Sequence, residues 1–480
     1  MNIKKILLCF FAILIIYFFR PWFHPVAIYF YKNPAIIEVV LIWAVIYFFF
    51  SRRKMKNKEL TINIFKSTTV ILLFFLLLFA SFFSNIIVFL ELPKTLKFND
   101  IQTLPESTKN LRLMPMSVAY RYAKDSLQLA QYKLGPENIV NINNSLSWVF
   151  PLIPDGDLLK FLIKNKGIVI VDATKQEKNS KIIEKDLEIG QEMQIFDNLY
   201  WNLYKEKYFV DFDDVYYIYK NGEIYTIVPA IGYKYKLYYG LLYTLPEFEG
   251  LFIVDSAGKI NFLKPEQALK SKILEGNRIF PENLARLYVE SYAFKNGLIN
   301  YFFIHKDQTE IQDIDFNRQP FLLDTKEGLK WFISTEPYGA SHGIFKIFII
   351  DARTGKIELL ELPGMTLTGP VKATDFVRQN NPIVDWSRFK LAEPLPFFKN
   401  NTLYWKVVVI PFDSAGIAYQ AFVNAKTNEV IELKTNEDIL NFMTETYKET
   451  KKTEEQRKEE IIEQIKKKIR EIEDLLKKLK

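Results

Sequence analysis

A single cysteine, Cys9, and three histidines, His24, His305 and His342, stand in a chain of 480 residues. One cysteine excludes a disulfide framework and a set of thiolate metal ligands. There is no H-E-x-x-H and no Cys/His cluster, so no metal and no cofactor is expected. A large excess of one charge sign is missing as well. The 63 Lys and Arg nearly balance 56 Asp and Glu, and the surplus of +7 is spread along the chain, which argues against a nucleic-acid face. What is abundant is apolar: 49% hydrophobic and 15% aromatic residues. That is enough to fill several cores, roughly two to four domains held by packing alone.

Three apolar runs crowd the first hundred residues: Ile6 to Phe19, Ala35 to Phe50 and Thr68 to Leu90. Crossing a bilayer takes about 20 apolar residues in a helix, so the third run suffices and the first two need flanking residues or a thin bilayer. Lys4 and Lys5 precede the first run and SRRKMKNK, Ser51 to Lys58, separates the second from the third, whereas the first connection carries only Arg20 and Lys32. Positive charge stays on the cytoplasmic side. The expectation is a cell-membrane protein with three spans in residues 1–95, a cytoplasmic N-terminus and an extracytoplasmic domain from about Pro93 onward. A signal peptide fits a basic start too, but no small-x-small site follows Phe19, where the chain reads RPWFHP, and Trp22 and Tyr29 suit an interfacial belt. Glu38, one turn into the second run, is read as reaching the interface.

Four segments share a pattern of apolar strand, Asp or Asn, small residue, polar turn and second strand. They are GIVIVDATKQEKN from Gly167, GLFIVDSAGKINFL from Gly250, FKIFIIDARTGKIELLEL from Phe345 and YQAFVNAKTNEVIEL from Tyr419. The acid or amide bonds back to the turn, and Gly258, Gly355 or Asn428 accepts positive φ, which makes a hairpin. In the first copy a polar run replaces the second strand. Another strand lies upstream of three copies: EIYTIVPAIG from Glu223, GLKWFISTEP from Gly328 and LYWKVVVIPF from Leu403. Helical patterns precede each group, at Met116 to Lys133, Gln191 to Lys205, Pro281 to Phe294 and Thr368 to Arg378. The expected fold is α+β: N-terminal transmembrane helices, then tandem helix-plus-antiparallel-sheet units at 96–190, 191–275, 276–366 and 367–446, then a long charged helix at 447–480.

The hairpin after a strand that begins Tyr-Trp or Lys-Trp resembles the PepSY domain, most fully in IIDARTGKIEL from Ile349. The resemblance covers Asp211 to Leu433, repeated two or three times, with Arg112 to Val171 as a divergent first unit. It implies an extracytoplasmic module that binds peptides or envelope components or modulates a peptidase. Two departures bear on the transfer. No protease domain accompanies the repeats, and the membrane part lacks the paired histidines of haem-carrying PepSY transmembrane proteins, His24 being the only membrane-proximal one.

Other motifs have plainer readings. GASHG, Gly339 to Gly343, fits G-x-S-x-G with Ser341 as nucleophile, but that motif needs a strand-to-helix turn and here strand patterns flank it, with no histidine after His342. Asp211, Asp213 and Asp214 in VDFDDVYY lack calcium-loop spacing and read as a solvated strand edge. YKYKLYYGLLYTLP, Tyr233 to Pro246, suits either a membrane interface or peptide-binding surface, or an ordinary half-buried sheet. Asn143 and Asn400 open N-x-S/T triplets. In EEIIEQIKKKIREIEDLLKKLK, Ile462, Ile465, Ile469, Ile472, Leu476 and Leu479 form an a/d seam that suits a homo-oligomer, or one amphipathic helix. No catalytic, cofactor-binding or metal residue is assigned. The expected role is a membrane-anchored binding or scaffolding protein with protein or peptide partners and no enzymatic activity. The alternatives are a structural component of a virion, secretion or conjugation assembly, and a serine hydrolase using Ser341.

Overall fold

A computed structural model describes residues 3–52, 58–314, 318–339, 343–362, 366–413 and 416–444, with Ile462, Ile465, Lys466, Ile469 and Arg470 of the C-terminal segment. The chain is mixed α+β. It opens with α1 (Ile3–Phe18), α2 (Arg20–Lys32), α3 (Pro34–Arg52) and α4 (Lys58–Thr95). Among the described residues one helical segment, Leu72–Thr95, is long and apolar enough to cross a membrane; α1 and α2 pass that test only as a pair bent by 81°, and Pro34–Phe48 is apolar but shorter. The bend has a local cause. Pro21, in the first turn of α2, has no N–H to donate back into α1, so the α1 hydrogen-bond ladder stops and the helix restarts in a new direction after Phe19.

With 38 residues α4 is about 57 Å long, well beyond the roughly 30 Å of a hydrocarbon core. Its character changes along its length. Leu72, Phe75, Leu78, Phe79 and Phe82 are exposed, whereas Ser84, Ile87 and Leu92 are buried, the two apolar ones in the largest core of the folded body. No flexible linker separates the apolar helix from the body.

After β1 (Phe98–Asp100), four antiparallel sheets follow, each preceded by a helix. In the first, α5 (Met116–Ser126) leads to β2 (Tyr132–Leu134), β3 (Asn138–Ile142), β4 (Ser145–Pro154), then, past α6 (Leu159–Leu162), β5 (Asn165–Asp172) and β6 (Ser180–Leu187). In the second, α7 (Leu199–Glu206) leads to β7 (Asp211–Phe212), β8 (Tyr216–Lys220), β9 (Glu223–Tyr238), β10 (Leu241–Val254) and β11 (Ile260–Leu263), followed by α8 (Pro265–Lys270). In the third, α9 (Glu282–Tyr292) leads to β12 (Thr309–Ile311), β13 (Phe321–Thr325), β14 (Gly328–Pro337), β16 (Lys346–Asp351) and β17 (Ile357–Glu361), with β1 added in parallel to β17. Between them β15 (Gly343–Ile344) pairs with β18 (Leu367–Thr368). In the fourth, α10 (Pro370–Asn380) leads to β19 (Phe389–Lys399), β20 (Thr402–Pro411), β21 (Tyr419–Asn424) and β22 (Val430–Leu433), and α11 (Asn436–Met443) follows.

The four groups close by the same bonds. Asp172, Asp351 and Asn424 each end a strand, Asp255 directly follows one, and all accept backbone N–H groups of the turn, from Thr174, from Arg353 with Thr354, from Lys426 with Thr427, and from Lys259 respectively. Gly258, Gly355 and Asn428 hold φ of 80°, 76° and 64°, as their residue types predict. The carbonyl of the next residue, Ala173, Ser256, Ala352 or Ala425, accepts an N–H from the segment leading into the group's own helix: Leu113 and Met114, Glu188, Ile279 and Phe280, or Thr368. In the first, third and fourth groups the hairpin thereby anchors the start of its helix, whereas Glu188 follows directly on β6 and stands well ahead of α7.

Several expectations need correction. The first group has its second strand: β6 pairs with β5 through Ile168↔Ile183 and Val171↔Ser180, and the intervening turn is simply longer. It also has the upstream strand, β4, with Trp148. Helix α5 ends at Ser126 and not Lys133, since Tyr132 is already paired to Pro154. The Gln191–Lys205 pattern becomes a 3₁₀ turn, Ile195–Asp197, and then α7, whose cap Asn198 accepts the Trp201 N–H at 3.0 Å. The triplets at Asn143 and Asn400 are two-residue hairpin turns, with φ of 52° and 63° at Asn143 and Asn144 and 49° and 54° at Asn400 and Asn401. Turn geometry alone accounts for the asparagines there.

Side-chain alternation splits each inner strand between two cores. Trp148, Phe150 and Leu152 of β4 join Trp331 and Ile333 of β14 in one core, while Val149 faces the second sheet and Phe332 faces the fourth. The sheets are therefore packed into one body.

Candidate functional site

Three tryptophans occupy the same register, one residue short of the Asp or Asn hairpin: Trp148↔Val171, Trp331↔Ile350 and Trp405↔Val423. Each indole N–H donates to the carbonyl two residues before the group's helix, Met114 at 2.9 Å, Phe280 at 3.3 Å and Thr368 at 2.7 Å. In the second sheet Thr226, opposite Val254, takes that position. Ahead of two of the helices stand matching tetrapeptides, RLMP from Arg112 and RIFP from Arg278. Both arginines are buried and lie over the indoles, Arg112 at 5.0 Å from the Trp148 ring centre and Arg278 at 5.5 Å from that of Trp331, with Tyr216 at 4.7 Å.

Between them is a cavity of about 200 Å³, lined by Arg112, Arg278, Arg318, Glu282 and Glu393 with both indoles. Glu393 comes from the bulge of β19, where φ of 46° turns its side chain inward. Its carboxylate accepts the Met116 N–H at 2.6 Å and lies 3.3 Å from the Arg112 Nε. Glu282, the first residue of α9, lies 3.5 Å from Arg278, which also donates to Asn138. Burial pushes the Glu282 carboxyl up to about 7 despite Arg278. Fully buried Lys406 donates to the Arg112 carbonyl, and burial pulls its ammonium down to about 7 against the nearby Glu393. The Arg112–Glu393 and Arg278–Glu282 pairs, with the Arg278 bond to Asn138 and the Lys406 bond to the Arg112 carbonyl, link three sheets and make the cavity a junction.

Past Met116 and Glu393 the cavity adjoins a groove of about 860 Å³ between α5, α10 and β19, the end strand of the fourth sheet. Its rim carries Arg121, Lys124, Arg378 and Lys390. The two acids in its lining are already committed, Glu393 to Arg112 and Asp313 to Arg286 at 2.8 Å. A basic, largely apolar trough beside an end strand is suited to an extended segment carrying acidic residues.

Residues singled out in the sequence are dispersed. Ser341 and His342 lie outside the described residues, and the flanks of GASHG are strands β14 and β15. Asp211 pairs with Lys32 and Tyr233, and Asp213 is not solvated: it is buried and accepts the Asn283 N–H at 3.1 Å at the start of α9. Among the described residues no group of three His, Cys, Asp or Glu side chains is placed to hold a metal. His24 is stacked on Tyr204 at 3.6 Å. Glu38 accepts the Leu242 N–H at 2.9 Å, and the Tyr-rich stretch is the long β9–β10 hairpin. The heptad seam lies outside the described residues apart from Ile462, Ile465 and Ile469, which are helical and exposed. Arg112, Arg278, Glu393 and Lys406 were not anticipated, although the paired RLMP and RIFP were there to be read. Comparison with protein-family models, curated proteins and solved structures gives no match.

Proposed function

We propose that this chain is a membrane-anchored binding or scaffolding protein, its four helix-plus-sheet groups being PepSY-like modules on the extracytoplasmic side, and the α5–α10–β19 groove the seat of an extended acidic peptide or protein segment. The groove carries the reading: its rim holds four basic side chains, of which Arg378 pairs with Asp375, and the two acids of its lining are paired as well. Sidedness draws on the basic Ser51–Lys58 connection and on the contacts of Phe18 with Trp201, of Glu38 with Leu242 and of Phe89 with Phe294, which bring one end of α1, of α3 and of α4 to the body. An assembly component is the second reading, favoured by the exposed isoleucines of the C-terminal segment. Fluorescence anisotropy of labelled extended peptides with the detergent-solubilised full chain tests the groove. Acidic peptides should bind more tightly than basic ones, and Lys124→Glu with Arg121→Glu should weaken them roughly tenfold or more and flatten the salt dependence. Equal binding of both peptide classes, untouched by the substitutions, would count against the site.

A further inference from the structure

Apolar protrusions leave the body where the N-terminal helices meet it, and each touches a different helix. Leu158 and Leu162, 78% and 75% exposed, flank Phe161 at α6, which lines one cleft with Pro21 and Trp22 of α2. Phe196 of the 3₁₀ turn lies 6.1 Å from the ring of Phe18, the last residue of α1. The β9–β10 hairpin exposes Leu237 and, almost wholly, Tyr239 at its tip, beside the bond from Leu242 to Glu38 of α3. A π-helix, Asn300–Ile304, exposes Phe302, Phe303 and Ile304; its Tyr301 stacks at 3.9 Å on Phe294, which meets Phe89 of α4 at 5.2 Å. Helix α2 buries Pro21, His24 and Ile28 and exposes Trp22, Phe23, Val26 and Phe30.

Single exposed hydrophobics are ordinary, but a set gathered round one end of a body marks a contact surface. We propose that these protrusions and the outer face of α2 form one lipid-contact surface, seating the body in the headgroup layer of the bilayer that α1, α3 and α4 occupy. Continuity with the apolar helices selects lipid as the occupant. The 81° turn between α1 and α2 carries the chain from along the span to across it, which lays α2 in the interfacial plane. Exposed Lys236 and Lys306, beside the hairpin tip and the π-helix, are placed for headgroup phosphates while their neighbours go deeper.

The inference rests on the membrane-anchored reading, and the test separates the two. In full-length protein carrying Cys9→Ser, an environment-sensitive fluorophore is attached at Phe75→Cys, Phe161→Cys, Tyr239→Cys, Phe303→Cys or Thr427→Cys and reconstituted into liposomes of zwitterionic and anionic lipid with brominated acyl chains. Residues 161, 239 and 303 are exposed, so labelling leaves the packing untouched. Quenching of roughly twofold is expected at 161, 239 and 303, stronger quenching at 75 and none at 427, given side chains that reach about 5–10 Å into the headgroup boundary. Quenching at 75 with none at the other three sites overturns the surface and leaves the anchor standing. No quenching at 75 removes the anchor and the surface with it.

Discussion

Two of the buried arginines of the body, Arg112 and Arg278, sit in matching sequence but in different company. Arg112 and Arg278 each stand three residues before a proline-initiated helix and over an indole. Arg112 draws its carboxylate from another sheet, Glu393 on the bulge of β19, which also takes the Met116 N–H. Arg278 draws its carboxylate from its own helix, Glu282, and adds a neutral acceptor, Asn138. One junction takes its carboxylate from another group of the chain; the other uses a carboxyl of its own helix that burial pushes up to about 7. Repetition within the chain set the arginines, and the contacts between groups set what became of them.

The comparison breaks most readily at Glu393. Replacing it by Ala leaves Arg112 buried without its carboxylate and Met116 without its acceptor, so chemical unfolding of the solubilised protein should show a loss of about 3–5 kcal/mol, against about 1 kcal/mol for Glu282→Ala at pH 7. Equal losses would show the two junctions to be equivalent.

Next in size are the indoles. Trp148→Phe and Trp405→Phe each remove a donor from a carbonyl beside a helix start and should cost about 1–3 kcal/mol. Thr226→Phe in the second sheet breaks no such bond, and its effect is one of packing at a buried position. A thermal shift series on these variants ranks them.

A further difference between the junctions concerns pH. The Glu282 carboxyl titrates at about 7 in the folded protein and at its ordinary 4.5 when unfolded. Between those values the folded state holds the extra proton, so this group's contribution is full below about 4.5 and falls as pH rises to about 7, with no further change above. Lys406 runs the other way: its folded value of about 7 lies below 10.5, so its penalty is full below 7 and fades as pH climbs to 10.5. Glu282→Gln should flatten the acid limb of a stability–pH curve and leave the alkaline limb, which Lys406→Met should flatten instead. Because the Glu282 side chain keeps 28% exposure, the acid limb is the shallower.

Local chemistry made much of the fold legible. The Asp or Asn hairpins of Asp172, Asp255, Asp351 and Asn424, the positive-φ residues after them and the helix starts at Pro115, Pro281 and Pro370 all act within a few residues, and sequence spacing reports such things. Strand β6 escaped because Ser180–Leu187 has few apolar residues: Ile182, Ile183 and Leu187 are enough once β5 offers its edge. The site was legible only in fragments. Asp213 looks like a surface acid until α9, 70 residues on, is seen to start on it, and Glu393 and Lys406 are ordinary charges until packing brings them to Arg112.

The proposed extracytoplasmic position of the body is open to a direct test. In cells expressing the Cys9→Ser chain with either Lys56→Cys or Thr427→Cys, an impermeant maleimide should label residue 427 on intact cells and residue 56 only after permeabilisation. Labelling of 56 on intact cells with 427 protected would contradict it.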